Sequence, residues 1–502
     1  MNSALVPLPI VIPLFAAAIT VVFGRFRVLQ QVVSLAALGS VVGVSIALLV
    51  EADEFGVVKM DAGGWAAPLG ITYVVDRLAG IMLVTSSLML LVVMIYAIGQ
   101  KGVADKHVGF APIYLVLASG VSASFITGDM FNLFVAFEMM LAASYVLLTL
   151  GGRQDQVRAG MTYVVISLLF SAMFITALAL LYAATGTVNM ADLAERMPEL
   201  SSGVRTGFSL LLIFVFGIKA GLFPLFFWLP DSYPTAPGPV TAIFAGLLTK
   251  VGVYAIIRTQ TLLFPPESQQ GTALLIIGGL TMVVGVLGAL AQDELKRLLS
   301  FHIVSQIGYM IFALGLFTVA GVTAVVFYIS QTILVKTNLF LVAGLVERHA
   351  GSGRVSRVGG IARSAPIIAV FFAVPALSLA GLPPSSGFAG KFSLIDAGVA
   401  SEQWVIVGVA LLVSLLTLFS VTKVWSGVFW GEPESAPALD EGRTHGGPPL
   451  MVFATAVTVA LSIAYVIFAG PIYDLAERAG TDLMNPRVYI DAVLGMSNGA
   501  DT

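Results

Sequence analysis

One stretch decides the fold, because it places a cation inside an apolar helix and then interrupts that helix with prolines. It is residues 216–230, FGIKAGLFPLFFWLP, in which Lys219 precedes Pro224 and Pro230. Proline removes a backbone donor and clashes with the preceding turn, so the two prolines are expected to break this helix. Backbone freed in this way is tolerated at membrane depth only where protein or water satisfies it. The stretch therefore predicts a functional position inside a membrane.

The composition of the whole chain agrees with a membrane protein. Charged residues make up 11% and hydrophobic residues 58% of the 502 positions, whereas a soluble domain has roughly 25% charged residues. This inventory excludes a soluble enzyme. The net charge of −3 argues against nucleic acid as a partner, which would need a basic face. The chain has no cysteine, so no disulfide, iron–sulfur cluster or thiolate metal site can form, and we expect no cofactor and no bound metal.

A membrane-spanning helix needs about 20 mostly apolar residues, and fourteen such spans follow one another along the chain. They lie at roughly 5–24, 28–50, 77–99, 108–127, 129–150, 159–185, 205–228, 238–260, 272–291, 298–318, 322–346, 365–390, 402–430 and 449–472. The connections are short and leave no room for a separate soluble domain. We therefore predict an all-α polytopic membrane protein with about fourteen transmembrane helices.

Orientation follows from Lys and Arg, which concentrate in the short loops on the inner side of a membrane. With the N-terminus outside, the inner connections hold about twice as many of these residues as the outer ones. The inner cations are Arg25, Arg27, Lys101, Lys106, Arg153, Arg158, Lys296, Arg297, Arg348, Arg354, Arg357, Arg363 and Arg443. An even number of spans then predicts that both termini lie outside. No basic region precedes Arg25, so the first span is not expected to be a cleavable signal.

Two outer segments are more than simple turns. Residues 55–75 alternate in a way that predicts a β-hairpin with its turn at 61–64. In the tail after Pro471, four apolar residues share one helical face: Tyr489, Ile490, Val493 and Leu494. That face predicts either a contact surface or a frayed end.

The chain also contains an internal echo. The motif KAGLFP at 219–224 in the seventh span resembles LAGLPP at 379–384 in the twelfth. The two spans are five apart, so they run in opposite directions, which indicates an inverted repeat of the kind found in many transporters. Pro375, Pro383 and Pro384 are expected to break the twelfth helix.

Six ionisable residues fall inside apolar spans. They are Glu138, Lys219, Lys250, His302, Lys336 and Lys391. Each buried Lys or Glu costs about 2.5–3.5 kcal/mol on insertion scales, so the set needs a common reason, and proton relays are one. The alternative for any single residue is a static ion pair or an interhelical hydrogen bond, but recurrence on separate helices favours the relay.

The expected contacts of these residues differ. Glu138 is a natural partner for Lys219, because burial disfavours a charged amine and a nearby carboxylate favours it. Lys336 shares one side of its helix with a polar stripe of Tyr328, Gln331 and Thr332, which suits either a file of waters or packing of polar helices. The Lys391 side chain is expected either to snorkel to the outer membrane interface or to form the exit of the proton path. His302 is expected near the inner face, either as a proton relay or as an ordinary interfacial histidine.

Three runs make the chain resemble a known superfamily: residues 216–230, YPTAPGPV at 233–240 and LLTKVGVY at 247–254. They resemble the antiporter-like subunits of Mrp-type sodium/proton antiporters and of respiratory complex I. Within that superfamily, the length of the chain, Lys391 and the ending NPRVYI at 485–490 resemble the D-type Mrp subunits. The resemblance implies two inverted five-helix repeats with broken seventh and twelfth helices.

The resemblance also implies a division of the chain. Residues 1–107 form an N-terminal three-helix segment with the outer hairpin, and residues 108–260 and 272–430 form the first and second five-helix repeats. The last helix and a short outer tail occupy residues 449–502.

Residue roles follow from the same resemblance. Glu138 and Lys219 would form a switching pair, Lys250 and Lys336 would carry protons centrally, and Lys391 would stand at the outlet. His302 matches a proton-path region less closely. Complex I relatives place histidines just ahead of the Lys336 position, where this chain has Tyr328 and Thr332, so the route from Lys336 to His302 stays open.

The function predicted is that of a proton-translocating subunit of a multisubunit Na⁺/H⁺ antiporter, a secondary transporter rather than an enzyme. Its partners would be other membrane subunits, the lipid bilayer, and the transported H⁺ and Na⁺, in a bacterial cytoplasmic membrane. Two alternatives remain at this point: a proton-pumping subunit of a complex I-like or hydrogenase-type redox complex, and a non-conducting scaffold. The path of sodium is not evident from the residues.

Overall fold

A computed structural model of the chain describes residues 3–100, 109–432 and 447–495. Lys101, Lys106 and Arg443, which the charge pattern places in inner connections, lie outside the described residues. The helices of the first half are α1 (Leu8–Val22), α2 (Arg27–Phe55), α3 (Arg77–Gly99), α4 (Phe110–Ile126), α5 (Met130–Thr149), α6 (Gln154–Thr185), α7 (Met190–Arg196), α8 (Ser202–Ala220), α9 (Trp228–Ser232), α10 (Gly238–Ile243) and α11 (Thr249–Leu262).

The second half continues with helices and adds no strand within the described residues. Its helices are α12 (Gly271–Leu290), α13 (Leu295–Leu314), α14 (Val319–Ala350), α15 (Ile361–Ser364), α16 (Pro366–Ala380), α17 (Ser386–Ala400), α18 (Trp404–Val424), α19 (Pro449–Ile467), α20 (Ala469–Leu483) and α21 (Arg487–Leu494). A π-helical turn, Phe244–Leu248, joins α10 to α11, and a second, Trp425–Trp430, extends α18.

The predicted polytopic helical fold is confirmed. Twelve helices in the described part of the chain are long and apolar enough to cross a membrane. Two shorter apolar helices, α4 and α16, occupy the fourth and twelfth predicted spans. Long apolar runs form helices in a bilayer because only a helix satisfies every backbone group within the segment.

Burial divides the spans into a centre and a periphery. The apolar part of the α10–α11 span is 100% buried within the protein, and that of α13 and α14 is 89% buried. The corresponding value is only 33% for α1, α2 and α6. The most enclosed spans therefore include those that carry Lys250, His302 and Lys336, and lipid faces the helices at the edge.

Two breaks interrupt the helices, as the echo motif predicts. α8 ends at Ala220 and α16 at Ala380, and each is followed by a glycine in the left-handed region, Gly221 (φ +78°) and Gly381 (φ +83°). The leucine that follows each of these glycines donates its backbone N–H to the carbonyl of the residue five positions earlier, at 3.0 Å in the first break and 3.1 Å in the second. This hydrogen bond closes the end of the helix. This is a glycine-based helix stop, which a side chain at the glycine would strain.

Two of the prolines predicted to break helices do not. Pro375 lies inside the continuous helix α16, and Pro230 lies in the first turns of α9. A proline in a first turn is tolerated because its missing N–H would have no partner there. A proline such as Pro375 inside a helix is tolerated more readily in membrane proteins than in soluble ones, because neighbouring helices can satisfy the carbonyl that it leaves free.

The hairpin and the tail together form a cap on the side that the charge pattern predicts to be outer. Strand β1 (Val58–Asp61) pairs antiparallel with strand β2 (Thr72–Val75), which confirms the hairpin, although the connection runs over residues 62–71 rather than being a turn at 61–64. The tail forms α20 and α21, and the Lys59 Nζ donates to the Val493 carbonyl at 2.6 Å. Tyr489, Ile490 and Val493 are buried. The apolar face of the tail is thus a contact surface, and it packs against its own chain.

A buried ion pair anchors this cap. The guanidinium of Arg258 donates to both carboxylate oxygens of Asp76 at 2.6 and 2.7 Å, and both residues are buried. The ring of Tyr489 from α21 lies 5.2 Å from the guanidinium carbon. No local pattern predicts this pair, because Arg258 and Asp76 are 182 positions apart and each stands near the end of a span.

Loss of this pair should destabilise the protein strongly. Arg258→Ala leaves the Asp76 carboxylate buried without its partner, which is expected to cost about 3–5 kcal/mol. The matched control is Arg487→Ala, since Arg487 pairs with Glu195 on the exposed part of the same cap; it is expected to cost less than about 1 kcal/mol. The midpoint of thermal unfolding of the purified complex measures both, and equal losses would contradict the assignment of Arg258 as the anchor.

Candidate functional site

Four lysines lie in the interior of the protein on four different helices. Lys219 is near the end of α8, Lys250 near the start of α11, Lys336 in the middle of α14 and Lys391 in α17. Each is at most 4% exposed. Among the described residues, none of the four forms an ion pair with an acidic side chain. A buried amine without a counter-ion is costly, so its environment has to offer other polar groups.

At the first break the predicted partners meet through a third helix. The Lys219 Nζ donates to the Ser167 Oγ at 2.6 Å. One turn further along α6, the Ser171 hydroxyl donates to Glu138, which is half-buried on α5. The Ser171 hydroxyl also contacts the Ser167 carbonyl at 3.0 Å. Glu138 and Lys219 therefore interact electrostatically but through two serines rather than as a direct ion pair.

The serine link can be tested on its own. Ser167→Ala removes the acceptor of the Lys219 amine, and a hydrogen bond to a charged group is worth about 1.5–3 kcal/mol, so the rate of cation-driven proton movement should fall about tenfold. Thr176→Ala on the same helix is the control, because the Thr176 hydroxyl bonds only to its own helix at Ala172 and is exposed. Equal rates for the two variants in membrane vesicles would show that the serine link is not used.

The Lys250 amine is held by a helix defect. Its Nζ donates to the Ala245 carbonyl at 2.6 Å, and that carbonyl belongs to the π-helical turn Phe244–Leu248. A π-turn lengthens the backbone ring by one residue and is frequent at functional sites. Close packing puts this helix beside the first break: a Cβ at Gly252 would lie 2.6 Å from the Ala220 amide nitrogen. Lys219 and Lys250 thus stand on helices in direct backbone contact.

The Lys336 amine has no hydrogen-bond partner among the described protein atoms, although it is fully buried. The side chains of its neighbours Thr337 and Asn338, and of Thr249 on α11, are equally buried and unpartnered. Buried polar groups are almost always hydrogen-bonded, and where no protein group is available they bond to buried water. This part of the interior is therefore suited to water.

The predicted polar stripe on α14 contacts three neighbouring helices, α16, α17 and α13. The Gln331 amide donates to Ser378 at 2.9 Å and to Ser386 at 3.3 Å, and these serines flank the second break. On the other side, the Tyr328 hydroxyl donates to Gln306 of α13. The stripe therefore serves both the second break and the helix that carries His302.

Lys391 and His302 contact serines of α18. The Lys391 Nζ folds back across the second break and donates to the Ala380 carbonyl at 3.2 Å and to Ser414 at 3.1 Å. It is 3% exposed, so it does not snorkel to the outer interface. His302 is fully buried, rather than interfacial, and its Nε2 lies 2.9 Å from the Ser420 hydroxyl.

Sequence reasoning missed the serines that contact these polar side chains: Ser167, Ser171, Ser378, Ser386, Ser414 and Ser420. Many other hydroxyls in the spans bond only to their own helix, as Ser45 does to Val41. For most of these serines, the sequence therefore held no signal to separate the two kinds of hydroxyl. The spacing of Ser167 and Ser171 at i, i+4 was the one usable hint, since it puts both on one face of a helix.

A polar cavity of about 700 Å³ opens on the predicted inner side. Its lining includes Gln100, Arg153, Glu294, Lys296 and Glu347. Lys296 and Glu347 form an ion pair at 2.6 Å. Burial and the nearby Glu347 carboxylate raise the pKa of Glu294. Space, charge and a carboxyl of raised pKa make this cavity suited to exchange protons with the inner solution.

The chain matches known proteins over nearly its whole length. Residues 127–417 match the family described as NADH:quinone oxidoreductase/Mrp antiporter, transmembrane. The D-type subunit of the Na⁺/H⁺ antiporter of Alkalihalophilus pseudofirmus is 41% identical over 496 residues, which cover 98% of this chain and 100% of the relative. The chain therefore belongs to the family of NADH:quinone oxidoreductase/Mrp antiporter membrane subunits.

Solved structures agree with the fold. A chain of the Mrp complex from Dietzia sp. superposes with a TM-score of 0.91 at 32% identity, covering 99% of this chain and 100% of that one. A chain of respiratory complex I from Thermus thermophilus superposes with a TM-score of 0.76 at 25% identity, covering 93% and 99%. The class is thus an antiporter-like membrane subunit, and the relative of highest identity among these three is of the D type.

Proposed function

We propose that this chain is the proton-translocating subunit of a multisubunit Na⁺/H⁺ antiporter of the D type. One observation carries the proposal: four buried amines stand on four helices, and none is neutralised by an ion pair among the described residues. A structural role would favour fixed counter-ions. An amine held only by hydroxyls, carbonyls or water can exist with or without its proton.

The proposed mechanism is charge propagation along the four buried lysines, Lys219, Lys250, Lys336 and Lys391, which we call the row. Lys336 interacts electrostatically with both Lys250 and Lys391. Like charges at such range disfavour each other, so a proton that arrives on Lys250 disfavours one on Lys336 and favours its transfer towards Lys391. His302 interacts with both Lys336 and Lys391 and offers a side branch. Glu138, which responds through Ser171 and Ser167, would switch Lys219 at the start of the row.

The proposal includes the setting of the protein. The subunit would work only with other membrane subunits in a bacterial cytoplasmic membrane, with both termini outside and the polar cavity facing the cytoplasm. Two inverted five-helix repeats, at 108–260 and 272–430, would each contribute one broken helix. The shared glycine stop at Gly221 and Gly381 supports that division.

The experiment is transport by the whole complex in inside-out vesicles from a bacterium without other Na⁺/H⁺ antiporters. Added Na⁺ is expected to collapse an imposed pH gradient without any electron donor. The likeness to a complex I chain makes a redox-driven pump the second candidate. Proton movement that requires an electron donor and ignores Na⁺ would select that pump and reject the antiporter. For the scaffold alternative, replacing Glu138 and Lys219 together by apolar residues should leave transport intact.

A further inference from the structure

The amine of Lys219 lies inside a group of aromatic rings. Its Nζ is 5.0 Å from the ring centre of Phe170, 5.2 Å from that of Tyr163 and 5.8 Å from that of Trp228. All three rings are buried. An aromatic face within about 6 Å attracts a cation, and the attraction is largest where water is excluded. We call these three residues the aromatic cage.

The cage is assembled from both sides of the first break. Tyr163, Ser167 and Phe170 follow one another at helical spacing on α6, so two rings flank the serine that accepts the hydrogen bond of the amine. Trp228 comes from α9, the first helix beyond the break. Its indole Nε1 donates to the carbonyl of Ile218 at 3.0 Å, beside Lys219 itself. The indole thereby ties the segment after the break to the end of α8.

The other three lysines have different surroundings. Lys391 lies over a single ring, that of Tyr309, at 5.0 Å. In the described parts of the chain, Lys250 and Lys336 make no cation–π contact. Lys219 is therefore the amine that aromatic faces surround, and they surround it at the place where Ser171 holds Glu138 away from it.

We propose that Tyr163, Phe170 and Trp228 are positioning residues that stabilise the protonated Lys219 and so set the pH at which it gives up its proton. The inference deepens the proposed function and rests on it. Because Trp228 belongs to the far side of the break, a displacement of α9 from α8 would withdraw one ring and favour release of the proton. The cage then couples the geometry of the broken helix to the charge of Lys219.

Other titratable groups stand on the helices around the first break. They are Glu138 and Tyr145 on α5, Tyr163 on α6, Tyr233 after α9 and Lys250 on α11. Phenols ionise near pH 10, so Tyr145, Tyr163 and Tyr233 stay uncharged near neutral pH. Variants of Phe170 and Trp228 leave all of these groups in place.

The test compares pH profiles of Na⁺-driven proton exchange by the whole complex in vesicles. In Phe170→Leu the alkaline limb of the profile is expected to move to lower pH by about one unit, because the charged amine loses a favourable contact. The matched control is Phe174→Leu, since Phe174 is equally buried one turn along α6 and makes no such contact with Lys219. Its profile is expected to stay in place. Trp228→Leu should shift like Phe170→Leu, and Trp228→Phe should recover most of the shift.

A fluorinated phenylalanine at position 170 guards against variants that fail to assemble. Fluorination keeps the shape of the ring and weakens its attraction for cations, so the alkaline limb should again move to lower pH. An unchanged profile with this residue, or equal shifts in Phe170→Leu and Phe174→Leu, would overturn the cage. If Lys219→Ala abolishes exchange while the pH profiles of the cage variants stay in place, only the proposal for the aromatic cage is rejected. If Lys219→Ala exchanges normally, the proposed function is rejected as well.

Discussion

Replacing Lys219 with alanine is expected to lower Na⁺-driven proton exchange by the complex on the order of a hundredfold or more, the scale on which loss of a proton-transfer group acts. The Lys219 amine ends the serine link from Glu138, and its helix is in backbone contact with the helix that carries Lys250. Alanine keeps the helix, because it is the best helix former. The rate is measured in vesicles from the recovery of a quenched pH-sensitive dye after addition of Na⁺.

The matched control is another lysine of a membrane helix. Lys423 at the end of α18 donates to the carbonyls of Leu290 and Gln292 at 3.0 and 2.8 Å, away from the row. Lys423→Ala is expected to change the rate less than about twofold, because Lys423 contacts only backbone carbonyls among the described residues and none of the four buried lysines. Undiminished exchange in Lys219→Ala, with the protein present at its normal level, would reject the relay.

Lys336→Met is expected to abolish exchange and at the same time to stabilise the complex. The Lys336 amine is fully buried without a protein partner among the described residues, and a lysine at the centre of a span costs about 2.5–3.5 kcal/mol on insertion scales. Methionine is unbranched and flexible, so it can occupy the same space without that cost. Vesicle transport and thermal unfolding of the purified complex measure the two effects. Their opposite signs identify a residue kept for function at the expense of stability.

Lys296→Met is expected to have the opposite effect on the stability of the complex. Lys296 is also buried, but it is paired with Glu347 at 2.6 Å. Its removal leaves a carboxylate without its cation, so stability is expected to fall. If Lys336→Met lowered stability in the same way, the Lys336 amine would have a hidden structural partner. The case for a relay through α14 would then be lost.

The sequence predicted the breaks more reliably than their causes. The motifs at 219–224 and 379–384 marked both positions, yet the stop is made by Gly221 and Gly381 in the left-handed region. Pro375 remains inside α16. The rule that proline breaks a helix considers one helix by itself. In a membrane protein, neighbouring helices can satisfy the backbone carbonyl that the proline leaves free. Local chemistry therefore located the breaks, and packing decided which residue ended each helix.

The tail likewise has one feature that local sequence predicts and another that only packing decides. Its apolar face could be read from the spacing of Tyr489, Ile490 and Val493, but the surface that it covers could not. That surface includes Arg258 and its buried partner Asp76, brought together from helices far apart in sequence. Pairing of this kind depends on the closing of long loops, which no local pattern encodes.

By itself, the sequence determined the membrane class, the spans and the buried ionisable residues, because a run of about 20 apolar residues and a charge within it are local properties. Only the tertiary structure decided what each amine contacts: Ser167 for Lys219, the Ala245 carbonyl for Lys250, and no described protein group for Lys336. The physical reason is that hydrogen bonds reach only about 3 Å. Helix packing therefore sets those partners, and the order of residues along the chain does not.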